Sequence, residues 1–375
     1  MSGAFSFLVF ETVKDSTLFS FTPNASATSF QQSASALCFH YSLIFCTFVT
    51  SNLSGSFYFM INRILLRIKV VQVLYAFFRG DNHDKVIAEK ELCHSIQKAY
   101  DLYFYLLQLI VELTRYSEQR INAARNKYLP TEEEKNPQTR FIDNLFAKQL
   151  AENKQLADYL KKRKLSWINH ESTLKQMEQE IYKCDFFIEY LAEPVQSYES
   201  DKTIWKKILK FELRDESPIF SALEEENAYW MSDIDIISSF VFKTLKLFKQ
   251  SNGADQKLLP MYKDPSDKDF ALKLFHTTID RNEEFSKLID THTKNWDMDR
   301  IAFMDVLIMK IAIAELLSFP AIPTNVTFNE YIELAKMFST PRSSVFINGV
   351  LDKIVMELKA NNQIEKLVDF SINTK

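Results

Sequence analysis

Three cationic side chains, Arg63, Arg67 and Lys69, stand close together at the start of an apolar segment. Guanidinium groups bind anions such as phosphates through paired hydrogen bonds. Arg63 and Arg67 are four residues apart, which predicts that they share one helix face. Cations at a helix N-terminus oppose the helix dipole, so local stability does not explain them. An anionic partner would explain them, and ordinary exposed cations are the competing interpretation.

The element that must position these cations is a helix over residues 63–79. Its periodicity predicts an amphipathic helix with a basic start. The apolar face would comprise Leu66, Val70, Val73, Leu74 and Phe77.

The composition favours an all-α protein and argues against a nucleotide-dependent enzyme. Hydrophobic residues make up 46% of 375 residues, which is enough for a sizeable core, and only five are glycine. These glycines are scattered, so no glycine-rich phosphate loop, dinucleotide fingerprint or nucleophile elbow can be assembled. The formal charge is −4, so nucleic-acid binding would need a local basic patch.

Cysteine and histidine residues give no sign of a metal site or another cofactor. The four cysteines lack the close pairs of a structural zinc site, and the six histidines lack an HExxH arrangement. Free or buried thiols in a reducing compartment are expected, and we predict a cytoplasmic location.

Residues 1–59 differ sharply in composition from the rest of the chain. They contain three charged residues, Glu11, Lys14 and Asp15. Their most apolar stretch, residues 37–49, is shorter than the ~20 residues of a membrane span, and a basic leader is absent. We interpret this segment as a non-native or disordered extension, with Met60 as the natural start.

A helical hairpin is predicted near the end of the printed sequence. Thr327 and Glu330 form a capping-box pattern, which predicts a helix beginning near Phe328. Thr340 precedes Pro341, which ends that helix, and a second helix starts around residue 343 or 344. Gly349 lowers the helix propensity of the second helix unless a neighbouring backbone packs against it.

Three blocks of the sequence resemble the NusB family of transcription antitermination factors, in the family order. They are Val71–Tyr75 after the arginine-led start, residues 269–316, and the Phe346–Asp352 motif Phe-Ile-Asn-Gly-Val-Leu-Asp. The resemblance implies a NusB-like helical bundle with two helical subdomains. It also implies binding of boxA-type single-stranded RNA with the ribosomal protein NusE, on an elongating RNA polymerase, chiefly in ribosomal RNA synthesis.

The resemblance also implies the domain plan and the site residues. We predict N-terminal NusB-like helices at 60–95, a helical insertion at 96–265, C-terminal NusB-like helices at 266–360 and a polar tail at 361–375. The predicted RNA-binding residues are Arg63, Arg67, Lys69, Arg342 and Phe346. Those predicted to face NusE are Tyr75, Asp299 and Asp305, although solubility alone would explain the aspartates.

The insertion is predicted to consist mainly of helices. Residues 102–113 would form a buried helix, and 141–160, 174–191 and 202–211 amphipathic helices, with a polar linker at 130–137. The basic run 161–164 is interpreted as a solvated helix end.

Two other functions remain open from the sequence. One is a helical scaffold without RNA function, in which the insertion is the binding element. The other is a fragment of an RNA cytosine methyltransferase carrying a NusB-like domain. That enzyme would need a glycine-rich cofactor domain and a catalytic cysteine after the helical part, and the printed chain has no room for them.

Overall fold

The computed structural model describes residues 63–262, 266–293, 301–364 and 366–367. Its α-helices, in chain order, are α1 (Arg63–Arg79), α2 (Lys85–Arg125), α3 (Glu132–Lys135), α4 (Leu145–Ala151), α5 (Lys154–Arg163), α6 (Glu171–Ile181), α7 (Asp185–Ala192), α8 (Tyr198–Glu212), α9 (Pro218–Glu226), α10 (Ile234–Leu247), α11 (Ser266–Asp280), α12 (Asn282–His292), α13 (Phe303–Ser318), α14 (Thr324–Phe338) and α15 (Ser343–Ala360). No β-strand occurs within these ranges, which confirms the all-α prediction. The interpretation of residues 1–59 lies outside them.

The chain forms two compact units. The inserted unit comprises Gln97–Pro260, and the split unit joins Ile61–Ile96 to Met261–Lys375. Helix α2 begins in the split unit and ends in the inserted unit, so the chain passes from one to the other within a single helix. In the described part of the chain, no helix has the length and apolar character needed to cross a bilayer.

The split unit is built around α1 and α13, both of which are buried on nearly all sides. In α13 every residue from Leu307 to Leu316 is buried except Lys310. In α1 every residue from Leu65 to Val71 is buried. A helix that is buried all round must be enclosed by other elements. Helix α11 packs on both, and α12, α14 and α15 pack on α13. The amphipathic prediction for α1 is therefore wrong, because its polar face is enclosed too.

The C-terminal hairpin consists of α14 and α15, as predicted, but its first helix begins earlier. α14 starts at Thr324, directly after Pro323, so the capping box predicted at Thr327 and Glu330 is wrong. Thr327 lies inside the helix and donates to Glu315, and Glu330 accepts from Arg67. Both side chains therefore hydrogen-bond to residues distant in sequence instead of forming a local helix cap.

The inserted unit has the second part of α2 as its buried centre. Residues from Leu102 to Leu107 are at most 1% exposed, which confirms the predicted buried helix. The Tyr105 ring stacks on Trp167 with 4.4 Å between centroids, and the Trp167 indole N–H donates to the Tyr105 carbonyl at 3.0 Å. Aromatic packing and a satisfied indole therefore hold the following helices to α2.

Buried asparagines divide the predicted helix at 141–160 into α4 and α5. Asn144 and Asn153 are the N-caps, and their side chains accept from the backbone N–H groups of Ala147 and Leu156. The predicted helix at 174–191 is likewise two helices, α6 and α7, separated at Cys184. The polar linker at 130–137 contains the short helix α3. The starts of α3, α4 and α5 follow side-chain capping that periodicity does not register, whereas no side chain caps α7 at Cys184.

Candidate functional site

Arg67 lies in the core of the split unit. It is 3% exposed, and its guanidinium makes two parallel hydrogen bonds to Glu315, Nε to Oε2 at 2.7 Å and Nη2 to Oε1 at 2.8 Å. Its Nη1 donates to Glu330 at 3.2 Å. Burial alone would lower the pKa of Arg67, but Glu315 together with Tyr331 and Glu330 outweighs burial and raises that pKa above its ordinary value. Arg67 is therefore fully charged and already paired.

The Glu315 carboxylate is saturated by neighbours. It is 0% exposed, and besides Arg67 it accepts from the Thr327 hydroxyl at 2.9 Å and the Tyr331 hydroxyl at 3.0 Å. Burial first, and then the Glu315 charge, hold the pKa of Tyr331 well above its usual range. Glu315 is thus the anionic partner that the cationic start of α1 requires. This corrects the interpretation of Arg67 as an RNA contact, because its guanidinium is 3% exposed and is already bound by the Glu315 and Glu330 carboxylates.

Lys69 is also enclosed, with 1% exposure, and its ammonium donates to Gln72 at 3.2 Å. A phosphate approaching from solvent cannot reach it without disturbing the core. The expected RNA contact at Lys69 is therefore corrected to a packing role.

Arg63 is the accessible member of the predicted cluster. Its side chain is 40% exposed, and its guanidinium lies 4.9 Å from the Phe270 ring centroid and 3.4 Å from the Asp267 carboxylate. It lines an open groove of about 330 Å³ beside the start of α14, together with Ile64, Ile322, Val326 and Glu330. An apolar groove with one cation at its edge fits a base and its phosphate.

Glu330 contributes the groove's carboxylate. Burial raises its pKa above the ordinary value, and the Arg67 charge opposes that rise. Arg67 and Glu330 therefore give the groove a fixed polar wall, and Arg63 contributes its half-exposed cation.

A second group of predicted residues lies at the start of α13 and α15. Asp305 is 5% exposed and accepts from the hydroxyls of Ser339 and Ser343, the latter at 2.8 Å. Burial raises the Asp305 pKa against these two bonds. Asp305 thus holds the loop between α14 and α15, which corrects its interpretation as an exposed partner contact.

Arg342 and Phe346 flank the loop that Asp305 holds. Arg342 is exposed, and no side chain caps the start of α15 there. Phe346 is half-buried, so part of the residue packs against the protein and part is exposed to solvent. Free backbone N–H groups at a helix start attract anions, which adds to the Arg342 charge.

Tyr75 lies in the split unit with 8% exposure, and its ring packs edge-on against Phe303 at 5.6 Å. The exposed Arg79 covers the same Phe303 ring at 5.6 Å. Tyr75 therefore presents little surface of its own, and Phe303 and Arg79 are the accessible neighbours. The prediction for Asp299 falls outside the described residues.

The predicted site residues form two groups at opposite ends of α13. Asp305 lies in the first turn of that helix and Glu315 in its last, ten residues on. At 1.5 Å per residue these ends are about 15 Å apart. Arg63 belongs to the Glu315 end, and Arg342 and Phe346 to the Asp305 end.

Sequence reasoning missed Glu315, Thr327 and Tyr331 as the partners of Arg67. A single signal was available: Glu315 stands in an otherwise apolar run, where a lone carboxylate needs a buried cation. In the described ranges, no group of three or more His, Cys, Asp or Glu side chains is arranged to hold a metal ion.

These features define an all-helical protein with a buried ion-pair cluster at its core and an arginine-edged groove beside its C-terminal hairpin. The NusB family model matches residues 237–356, a segment that includes the hairpin and begins within α10. The match leaves out α1, where the resemblance rests on the motif alone.

Curated relatives agree with that match. The transcription antitermination protein NusB of Salinibacter ruber is 41% identical over 132 residues, which are 34% of this chain and 82% of the relative. The proteins of the same name from Koribacter versatilis and Chloroherpeton thalassium are 46% and 39% identical over 94 and 99 residues. Those stretches are 25% and 26% of this chain, and 64% and 47% of the two relatives. The chain belongs to the NusB family. No solved structure matches it.

Proposed function

We propose that the chain is a non-catalytic RNA-binding factor that suppresses transcription termination. In this proposal it binds boxA-type single-stranded RNA with the ribosomal protein NusE on an elongating RNA polymerase, chiefly during ribosomal RNA synthesis, in the cytoplasm. The names of its relatives, transcription antitermination proteins, support the antitermination role.

One observation carries the RNA assignment: Arg63 is a half-exposed guanidinium at the edge of an apolar groove. Its ion pair with Asp267 is long at 3.4 Å, so it can exchange that carboxylate for a phosphate. The Phe270 ring beneath it limits its motion, which lowers the entropy lost on binding.

Arg342 and Phe346 provide a second contact in this proposal. A strand that leaves the Arg63 groove would run about the length of α13 before it meets the start of α15. There an exposed arginine, the positive end of a helix dipole and part of an aromatic ring offer phosphate binding and stacking.

For NusE we propose a surface around Phe303 and Arg79. Tyr75 supports this surface from below through its edge contact with Phe303. Asp305 does not contact the partner in this proposal. Its hydrogen bonds to Ser339 and Ser343 fix the neighbouring loop.

The test is a fluorescence-anisotropy titration of the full chain with a boxA-type oligonucleotide at several salt concentrations, with and without NusE. Arg63→Ala should weaken binding by about 5-fold to 10-fold and reduce the salt slope by about one phosphate contact. Arg281→Ala is the matched control, because Arg281 lies in the same unit with 38% exposure, against 40% for Arg63.

Equal effects of the two substitutions would exclude the Arg63 groove as the RNA site. Binding of NusE without any RNA binding would instead favour the scaffold function, which the burial of Arg67 and Lys69 makes the second candidate.

A further inference from the structure

Helix α8 of the inserted unit carries three exposed lysines, Lys206, Lys207 and Lys210. Among the described residues none of them has an ion-pair partner, whereas the neighbouring Lys202 pairs with Glu199 at 2.8 Å. Lys210 lies in the last turn, where the helix dipole favours a cation, but Lys206 and Lys207 lie before that turn. Lys206 and Lys210 are also like charges four residues apart, which destabilises the helix. An anionic ligand would relieve this repulsion.

A groove of about 250 Å³ lies between α7 and α8, and Lys207 lines it, with Lys210 three residues further along the same helix. Phe186 and Glu189 line it from α7, and Thr203, Ile204 and Lys207 line it from α8. Phe186 meets Phe211 edge-on at 5.8 Å, and the Arg214 guanidinium lies 3.4 Å from the Phe211 ring centroid. The groove therefore joins the half-exposed Phe186 ring to the Lys207 ammonium.

The acidic residues of the groove differ in their availability. Glu193 is engaged by Arg140 at 2.6 Å, and Glu199 by Lys202. Glu189 is exposed and, within the described part of the chain, carries no hydrogen bond or ion pair. One free carboxylate on α7 thus lies across the groove from one free ammonium on α8.

We infer that the α7–α8 groove is a second binding site for single-stranded RNA, separate from the Arg63 groove. Lys207 and Lys210 bind successive phosphates, the Phe186 ring stacks on one base, and the Glu189 carboxylate accepts a hydrogen bond from the amino group of that base. This inference rests on the proposed RNA-binding function and extends it to the inserted unit.

The free carboxylate makes the site selective for the base. Cytosine presents an amino donor that carboxylates accept, whereas uracil presents a carbonyl acceptor at the same position. Glu189 therefore favours cytosine over uracil. An acidic protein segment would also satisfy the lysines, but it would leave Glu189 facing like charge and Phe186 without a stacking partner.

The experiment uses the full chain and two single-stranded oligonucleotides that differ only in having cytidines or uridines. Lys207→Ala with Lys210→Ala should weaken binding of the cytidine probe by about 5-fold to 10-fold and lower the salt slope by about 0.7 for each lost phosphate contact. Glu189→Gln should reduce the preference for cytidine severalfold, because an amide both donates and accepts.

The matched control is Lys161→Ala with Lys162→Ala, two exposed lysines elsewhere in the inserted unit. It removes the same charge and should change affinity less than twofold. Equal losses from the two double substitutions would overturn the inference, as would an unchanged base preference in Glu189→Gln.

Arg63→Ala separates this inference from the proposed function. If Arg63→Ala weakens binding and the Lys207/Lys210 variant does not, the inference fails and the proposed function stands. The reverse result supports the α7–α8 site and rejects the Arg63 groove. Absence of RNA binding by the unaltered chain rejects both, and binding of an acidic peptide that the Lys207/Lys210 variant loses would assign the lysines to a protein partner.

Discussion

Arg63 and Arg67 stand about one helical turn apart on α1, and their environments are opposite. Arg63 is 40% exposed with one long ion pair, and Arg67 is 3% exposed with a bidentate partner in Glu315. Of these two arginines, four positions apart, Arg63 therefore lies at the surface and Arg67 lies in the core.

Arg67→Ala should lower the free energy of unfolding by about 3–5 kcal/mol, because it leaves the Glu315 carboxylate buried without its cation. Arg63→Ala should lower it by less than about 1 kcal/mol, as expected for a half-exposed pair. Urea unfolding followed by circular dichroism measures both. A stable Arg67→Ala protein that has lost only RNA affinity would contradict the structural role.

Glu212 should make stability depend on pH. It is 0% exposed, one of its oxygens accepts from Ser217 at 2.7 Å, and the other has no donor in the described part of the chain. Burial raises its pKa from 4.5 to about 7, so the folded chain retains a proton that the unfolded chain releases. The contribution of Glu212 to stability is therefore fully present below pH 4.5 and is lost as the pH rises from 4.5 to 7.

Glu212→Gln removes this dependence. Relative to the unaltered chain, the variant should gain roughly 3 kcal/mol of stability between pH 4.5 and pH 8. Chemical unfolding at these two pH values gives the difference directly. A constant difference across the range would show that Glu212 does not titrate there.

Gly349→Ala should stabilise the protein by about 0.5–1 kcal/mol. Gly349 lies inside α15, and a methyl group added there would meet nothing within 4 Å, so the gain in helix propensity is unopposed. Gly253→Ala is the contrasting variant, because Gly253 has a φ of 51° that alanine adopts with strain. Thermal unfolding should shift upward for the first variant and downward for the second.

Asn153→Ala should destabilise the inserted unit by about 2–3 kcal/mol. Its side chain caps α5 through the N–H of Leu156, and its amide donates to the carbonyls of Ala254 and Gln256, at 3.2 and 2.7 Å. The substitution removes a helix cap and leaves two carbonyl acceptors without their donor. Asn153→Asp keeps the cap but not the donors, so it should not restore stability. Thr131→Ala, at an exposed cap, should cost only about 1 kcal/mol.

The capping boxes show what a local pattern can and cannot predict. The spacing Thr-x-x-Glu occurs at Thr131 and Glu134, where it forms both reciprocal bonds, and at Thr327 and Glu330, where it forms neither. The first pair is exposed and has only its own backbone to bind. The second lies beside the buried Arg67 and Glu315, and a charged partner outcompetes a backbone N–H.

The same distinction explains which predictions about the fold were right. The buried helix through Leu102 was predictable because an apolar run of that length must be shielded from water. The Phe346–Asp352 motif identified the hairpin because its apolar positions share one face of α15. The burial of Lys69 and Asp305 was not predictable, since it depends on residues far away in sequence that happen to enclose them.

The separation of Arg67 from Glu315 also has a consequence for how the protein is made. The two residues are 248 positions apart, so at roughly 5–20 residues per second the ribosome releases Arg67 roughly 12–50 s before its partner exists. During that interval α1 cannot complete its packing, whereas every residue of the inserted unit has already emerged by Pro260. The segment Met261–Lys375, which is synthesised last, therefore packs on α1 only after the inserted unit has had time to fold.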